Sequence, residues 1–146
     1  MNTRIGAWVL TTCFLTSLMV TNVSIAEEQS SPVFQIGVTI SNKLPTERFS
    51  QNWPVHVYLT SPGSKIPLSS KTTRLDKLPF KTTLTEKDNV LPMFTLKGHK
   101  ELVLVVKISS SGDPHKTGSE DYRQVSPKFE ISPNNKTSLS MTLSEQ

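Results

Sequence analysis

Between residues 33 and 144 the apolar side chains recur at every second position, not every third or fourth. Phe34, Ile36, Val38 and Ile40 alternate with Gln35, Gly37, Thr39 and Ser41. Near the other end, Thr137, Leu139, Met141 and Leu143 alternate with Ser138, Ser140, Thr142 and Ser144. Successive side chains of an extended strand point to opposite faces, so each run describes a half-buried strand and offers no helical stripe. Between them, Val55, Val57 and Leu59 alternate with His56, Tyr58 and Thr60, and the segment closes at the turn residues Ser61-Pro62-Gly63. Lys71–Leu75 and Phe80–Leu84 read as short strands, the second starting after Pro79, where a missing N–H costs least. Met93–Leu96 reads as another, leading through Lys97-Gly98-His99-Lys100 into Leu102–Ile108. That run is apolar on both faces, which predicts a central strand covered from two sides. Phe129–Ile131 is expected to pair with the last strand across Pro133-Asn134-Asn135. The helical candidate, Thr46–Trp53, is stopped by Pro54, and the longest irregular stretch is Ser109–Pro127.

Seven or eight short strands with this punctuation predict an all-β fold in one domain over 33–146: an antiparallel β-sandwich, immunoglobulin-like or prealbumin-like. The core must hold that domain without covalent help. Cys13 is the only cysteine, so everything after it lacks disulfides, thiol chemistry and cysteine-ligated zinc. A chain of about 120 residues buries roughly two-thirds of its unfolded surface, enough for an unstapled domain.

The N-terminus has the parts of a secretory signal. Arg4 is the positive charge, Ile5–Val20 the apolar run, and Val23-Ser24-Ile25-Ala26 places small residues three and one positions before a cut between Ala26 and Glu27. A retained anchor needs about 20 mostly apolar residues, and this shorter run carries Thr11, Thr12, Thr16 and Ser17. Lipidation at Cys13 fits poorly, because apolar sequence continues through Val20. The reading is a signal peptide over 1–26, a flexible lead-in over 27–32, a periplasmic or secreted location, and no stable membrane anchor after processing. Without Arg4 the chain keeps 15 basic against 12 acidic residues, net +3, and no block of five like charges. That speaks against a nucleic-acid partner.

No catalytic, metal or cofactor residue is assigned. His56, His99 and His115 fall in no metal-binding spacing. His56 is expected on the outer face of a strand and His99 in a turn, each satisfied or solvated. There is no G-x-S-x-G elbow, and no helix follows Gly112 or Gly118 to cradle a phosphate. Glu120 and Asp121 are adjacent and read as a solvated loop. Asn135-Lys136-Thr137 matches a glycosylation triplet, a pattern frequent by chance. Surface recognition is what is left. Trp53, Tyr58 and Tyr122 are amphipathic aromatics, and Trp53 and Tyr122 fall in predicted connections. Tyr122, Arg123 and Trp53 are therefore the candidate partner-binding residues, since such side chains dominate interface energies. The competing expectation is that each aromatic packs down as a lid on the sandwich edge.

The middle of the chain resembles a known module. Pro67-Leu68, Thr73-Arg74-Leu75, Leu78-Pro79, Thr83-Leu84-Thr85, Asp88-Asn89, Val90-Leu91-Pro92 and a strand ending in Ile108-Ser109-Ser110-Ser111-Gly112 follow in the order of one family. That family is the periplasmic C-terminal domain of the cytochrome c maturation protein CcmI, or CycH. The clear motif order covers about 45 residues, and Gly118-Ser119-Glu120-Asp121 departs from the family's usual segment after the S-G loop. Full-length members also carry membrane helices and a tetratricopeptide domain, for which 146 residues leave no room. The resemblance implies a non-catalytic binding or assembly accessory, with no cofactor. Its partner would be a protein or peptide such as an apocytochrome c or a component of the haem-ligation machinery. The alternative is an exported binding module of the cell envelope or of host contact, unrelated to cytochrome c.

Overall fold

The structure is a computed structural model, described here for residues 30–132 and 136–145. The expected signal segment, the expected cut at Ala26 and Glu27, the first half of the expected lead-in and residues 133–135 lie outside the described residues. Ser30 and Ser31 are exposed, and Pro32 is already buried where the first strand begins.

Among the described residues eight strands form two sheets: β1 Val33–Ile40, β2 Pro54–Thr60, β3 Ser69–Arg74, β4 Phe80–Leu84, β5 Glu101–Ile108, β6 Tyr122–Val125, β7 Phe129–Glu130 and β8 Lys136–Leu143. One sheet has the order β4-β1-β8 and the other β3-β2-β5-β6, with β7 pairing the start of β5. Alternation decides what each strand buries. Phe34, Ile36 and Val38 of β1, Leu84 of β4, and Met141 and Leu143 of β8 turn inward. They meet Val55, Val57 and Leu59 of β2 and Leu102, Leu104, Val106 and Ile108 of β5. The expected all-β sandwich is the observed fold, and Leu102–Ile108 is its central strand, buried at every position.

Several local expectations are corrected. The sandwich is not wholly antiparallel, because β1 and β8 run parallel from Val33↔Lys136 to Ile40↔Leu143. Period two specifies which face a residue takes but carries no strand direction. Strands from the two ends of the chain are also not bound by a hairpin to run antiparallel. Met93–Leu96 is no strand: the Glu86 carboxylate accepts from Lys97 N (2.9 Å) and Thr95 Oγ1 (3.0 Å), and Leu96 plugs the core. Thr46–Trp53 yields only one 3-10 turn, Thr46–Arg48, after which Phe49 turns into the core.

Phe129–Glu130 pairs with β5, through Leu102↔Phe129 and Glu101↔Glu130, and not with β8. Ser126 explains this. Its N–H donates to Leu104 O (2.8 Å) and its Oγ accepts from Leu104 N (2.9 Å), so the chain stays on β5 across the Pro127 break. The stretch read as irregular to Pro127 ends at Asp121, because Tyr122–Val125 pairs with β5 from Ile108↔Tyr122 to Val105↔Val125.

Candidate functional site

The sheet of β2, β3, β5 and β6 has a second face, turned away from the core. Register places one row across it: Thr72 opposite His56, His56 opposite Lys107, and Lys107 opposite Arg123. The neighbouring row holds Ser70, Tyr58, Val105 and Val125. An outer face of a sandwich is ordinarily wet. Here Tyr58, Val103 and Val105 form a buried apolar cluster of their own, and His56 and Lys107 are buried beside it.

The cover comes from the Ser109–Asp121 loop, which folds back over this face and is pinned by a buried ion pair. Lys107 Nζ lies 3.3 Å from Asp121 Oδ2, with side chains only 4% and 2% exposed. The ammonium also donates to the carbonyls of Pro114 (3.2 Å), Asp113 (3.5 Å) and Lys116. Asp121 accepts from Ser110 N (2.8 Å), Ser110 Oγ (2.9 Å) and Gly118 N (2.9 Å), tying both ends of the loop to one carboxylate. Burial alone would raise the Asp121 pKa. The N–H groups of Gly118 and Ser110, the Ser110 hydroxyl and the Lys107 ammonium outweigh it and hold the carboxyl at about 2. The expected solvated pair Glu120 and Asp121 is thereby corrected: Glu120 is exposed, while Asp121 is the anchor of the loop.

Gly118 is required by this packing. A Cβ there would stand 2.8 Å from Ser110 Oγ and 3.1 Å from Asp121 Oδ1. Gly118→Ala is expected to push the Ser110 hydroxyl off the carboxylate and cost about 1–2 kcal/mol. Urea unfolding checks it, and in a Ser110→Ala background the same change should cost less, because the clashing oxygen is gone.

His56 lies on the outer face as read, but it is buried. Its Nδ1 is 3.0 Å from Thr72 Oγ1, and Nε2 has no hydrogen-bond partner among the described residues. Burial, and then the nearby Lys107 ammonium, lower its pKa, so the ring is neutral at pH 7. His99 sits in its turn as expected, with Nδ1 3.2 Å from Ser61 Oγ. Among the described residues no group of three His, Cys, Asp or Glu side chains could hold a metal ion.

Between the Ser109–Asp121 loop and the β2–β3 connection lies a groove of about 430 Å³. Tyr58, Ile66 and Pro114 supply its apolar surface, and Lys65, His115, Thr117 and Arg123 also line it. Lys107 and Asp121 reach it too, but each is spent on the other and on the loop backbone. Arg123 and Lys65 are exposed and form no ion pair among the described residues. The three sequence candidates separate here. Arg123 stands on the groove face of β6, whereas Tyr122, its neighbour, points into the sandwich. The Tyr122 hydroxyl donates to Ser144 O (2.6 Å), and its ring meets Phe49 edge-on at 6.2 Å. Trp53 packs on the other side of that cluster, 6.0 Å from the Phe49 ring. One surface therefore cannot use the side chains of both Tyr122 and Arg123.

Sequence reading passed over Lys65, Ile66 and Lys107. A signal existed for the last: Lys107 is the only charged residue within the apolar run Leu102–Ile108, on a strand already expected to be covered on both faces.

Fold and site together define an immunoglobulin-like β-sandwich whose outer sheet face is roofed by a loop and opens in a lined groove. The family model of the cytochrome c-type biogenesis protein H Ig-like domain matches residues 34–143, from β1 to the end of β8, and the chain belongs to that family. No curated protein and no solved structure matches the chain. Among the described residues no helix is long and apolar enough to cross a membrane.

Proposed function

We propose that this chain is an exported, non-catalytic accessory of cytochrome c maturation that holds a protein or peptide partner in the periplasm. The partner is an apocytochrome or a component of the haem-ligation machinery. The observation that carries this is the family match over the whole sandwich, residues 34–143, in a chain that begins with the features of a signal peptide. The groove under the Ser109–Asp121 loop supports it. It offers apolar surface, free cations and no nucleophile–base pair, which suits holding a segment better than reacting with it. Arg123 carries the contact in this reading, because its guanidinium stands on the groove face with no ion pair among the described residues. Tyr122 and Trp53 pack with Phe49 against the main core and take no part in the groove.

Deleting the gene in its host is expected to lower haem-stained c-type cytochromes while their transcripts stay unchanged. Restoring the wild-type chain should recover them, and restoring a chain with Lys65→Glu and Arg123→Glu should not. Cytochrome levels unaffected by the deletion would end the maturation role and leave an envelope binding module.

A further inference from the structure

The groove's chemistry narrows what it takes. Four features converge on it. First, Tyr58 is only 4% exposed, yet it lines the groove, and its hydroxyl makes no hydrogen bond to any described residue. The hydroxyl is not one of the buried side-chain atoms left without a partner, so it reaches the groove surface, where an acceptor on a ligand can meet it. Second, Lys65 and Arg123 come from opposite walls, one on the β2–β3 connection and one on β6. Neither forms an ion pair with a carboxylate among the described residues. Third, the one carboxylate lining the groove, Asp121, accepts three hydrogen bonds from Ser110 and Gly118 and is paired with Lys107, so the pair adds no net charge to the groove. Fourth, Ile66 is 53% exposed here and lies with Pro114 and the Tyr58 ring, an apolar surface that needs an apolar neighbour.

Resting on the reading of this groove as the partner's seat, we infer that it binds an extended peptide through a carboxylate flanked by an apolar side chain. The carboxylate lies between Arg123 and Lys65 and accepts from the Tyr58 hydroxyl. The apolar side chain covers Ile66 and Pro114. A guanidinium and a phenol are well suited to a planar acceptor of this kind. An acidic side chain and a chain terminus present the same group, so the test separates them.

The probe is a set of fluorescein-labelled eight-residue peptides with one Leu-Glu step in a Ser/Gly/Thr background. The Glu is kept or changed to Gln or Lys, and the C-terminus is a free acid or an amide. Binding to the full chain is followed by fluorescence anisotropy at about 50 mM salt, where exposed charges are little screened, and located by amide shifts in 15N-labelled protein. The expected result is binding of the Glu peptide, at least tenfold weaker for Gln with an amidated end, and weaker still for Lys. Dependence on Glu with the end amidated identifies a side-chain carboxylate, and dependence on the free acid with Gln in place identifies the terminus. Tyr58→Phe is expected to weaken binding several-fold while leaving the melting temperature near wild type. The pair Lys65→Glu and Arg123→Glu should abolish it or reverse the preference toward the Lys peptide.

Equal binding of Glu, Gln and Lys peptides, with shifts at Ile66, His115 and Arg123, would overturn the carboxylate and keep the groove as the seat. Binding with shifts confined to other surfaces would overturn the groove itself. Failure of every peptide to shift the groove amides would overturn the inference while leaving the cytochrome phenotype as an independent measure of the maturation role.

Discussion

Asp121→Ala is expected to cost about 3–5 kcal/mol of folding stability, the range for removing one partner of a buried ion pair. The Lys107 ammonium would remain buried with three backbone carbonyls and no counter-charge, and the N–H groups of Ser110 and Gly118 would lose their acceptor. Lys107→Met should cost less, because Asp121 keeps the donors from Ser110 and Gly118. A double-mutant cycle measures the coupling between the two. The same carboxylate predicts an acid dependence. Its folded pKa, about 2, lies below its ordinary value of 3.8. The stabilisation is therefore fully present above about pH 4 and is lost as pH falls toward 2, amounting to roughly 2 kcal/mol. Asp121→Asn should remove that part of the acid limb while leaving other carboxylates to titrate. Urea unfolding at pH 6, 4, 3 and 2 checks it. An Asp121→Ala protein as stable as wild type would show that the loop is not held by this pair.

Val105→Asp is expected to be at least as damaging, about 4 kcal/mol or more, because it places an unpaired carboxylate in an apolar site. Val105 is fully buried although it faces away from the main core. It packs with Val103 and Tyr58 on the outer face of β5, and Lys107, two residues along on the same face, is already committed to Asp121. Since a domain of this size is stable by only about 5–15 kcal/mol, a large unfolded fraction should be visible at 37 °C by far-UV circular dichroism. Val105→Thr is the control: similar in shape, it buries one hydroxyl and should cost about 1–3 kcal/mol. If Val105→Asp melted like wild type, the outer face would have to be open to water and the roofing loop unimportant.

The two substitutions probe one feature, a second small core outside the sandwich, and that feature separates what sequence and structure each contribute. The β class, the inward residues and the centrality of Leu102–Ile108 were legible because alternation is a local property: strand stereochemistry alone sends neighbours to opposite faces. The family motifs from Pro67 to Gly112 were legible for the same reason, since turns and strand ends are written in adjacent residues. The β1–β8 direction, the docking of Phe129 on β5 and the failure of Met93–Leu96 to pair depend on partners far away in the chain.

The candidate site divides the same way. Arg123 was singled out from residue type and position. Tyr122 beside it carried the same credentials, and only the pairing Ile108↔Tyr122 turns it inward while Lys107↔Arg123 turns Arg123 outward. Lys107 stood out in sequence as a lone charge in an apolar strand, but nothing local named Asp121 as its partner. Their encounter requires the intervening loop to close and its backbone to surrender Ser110, Gly118 and three carbonyls to the two charges. By itself the sequence determined that this chain folds as a two-faced sheet protein, because faces are set residue by residue. Only the tertiary structure decided that one outer face is roofed, pinned by a buried ion pair and opened as a groove between Tyr58, Lys65 and Arg123. The reason is that burial, charge pairing and concavity belong to segments brought together in space, and no spacing along the chain encodes them.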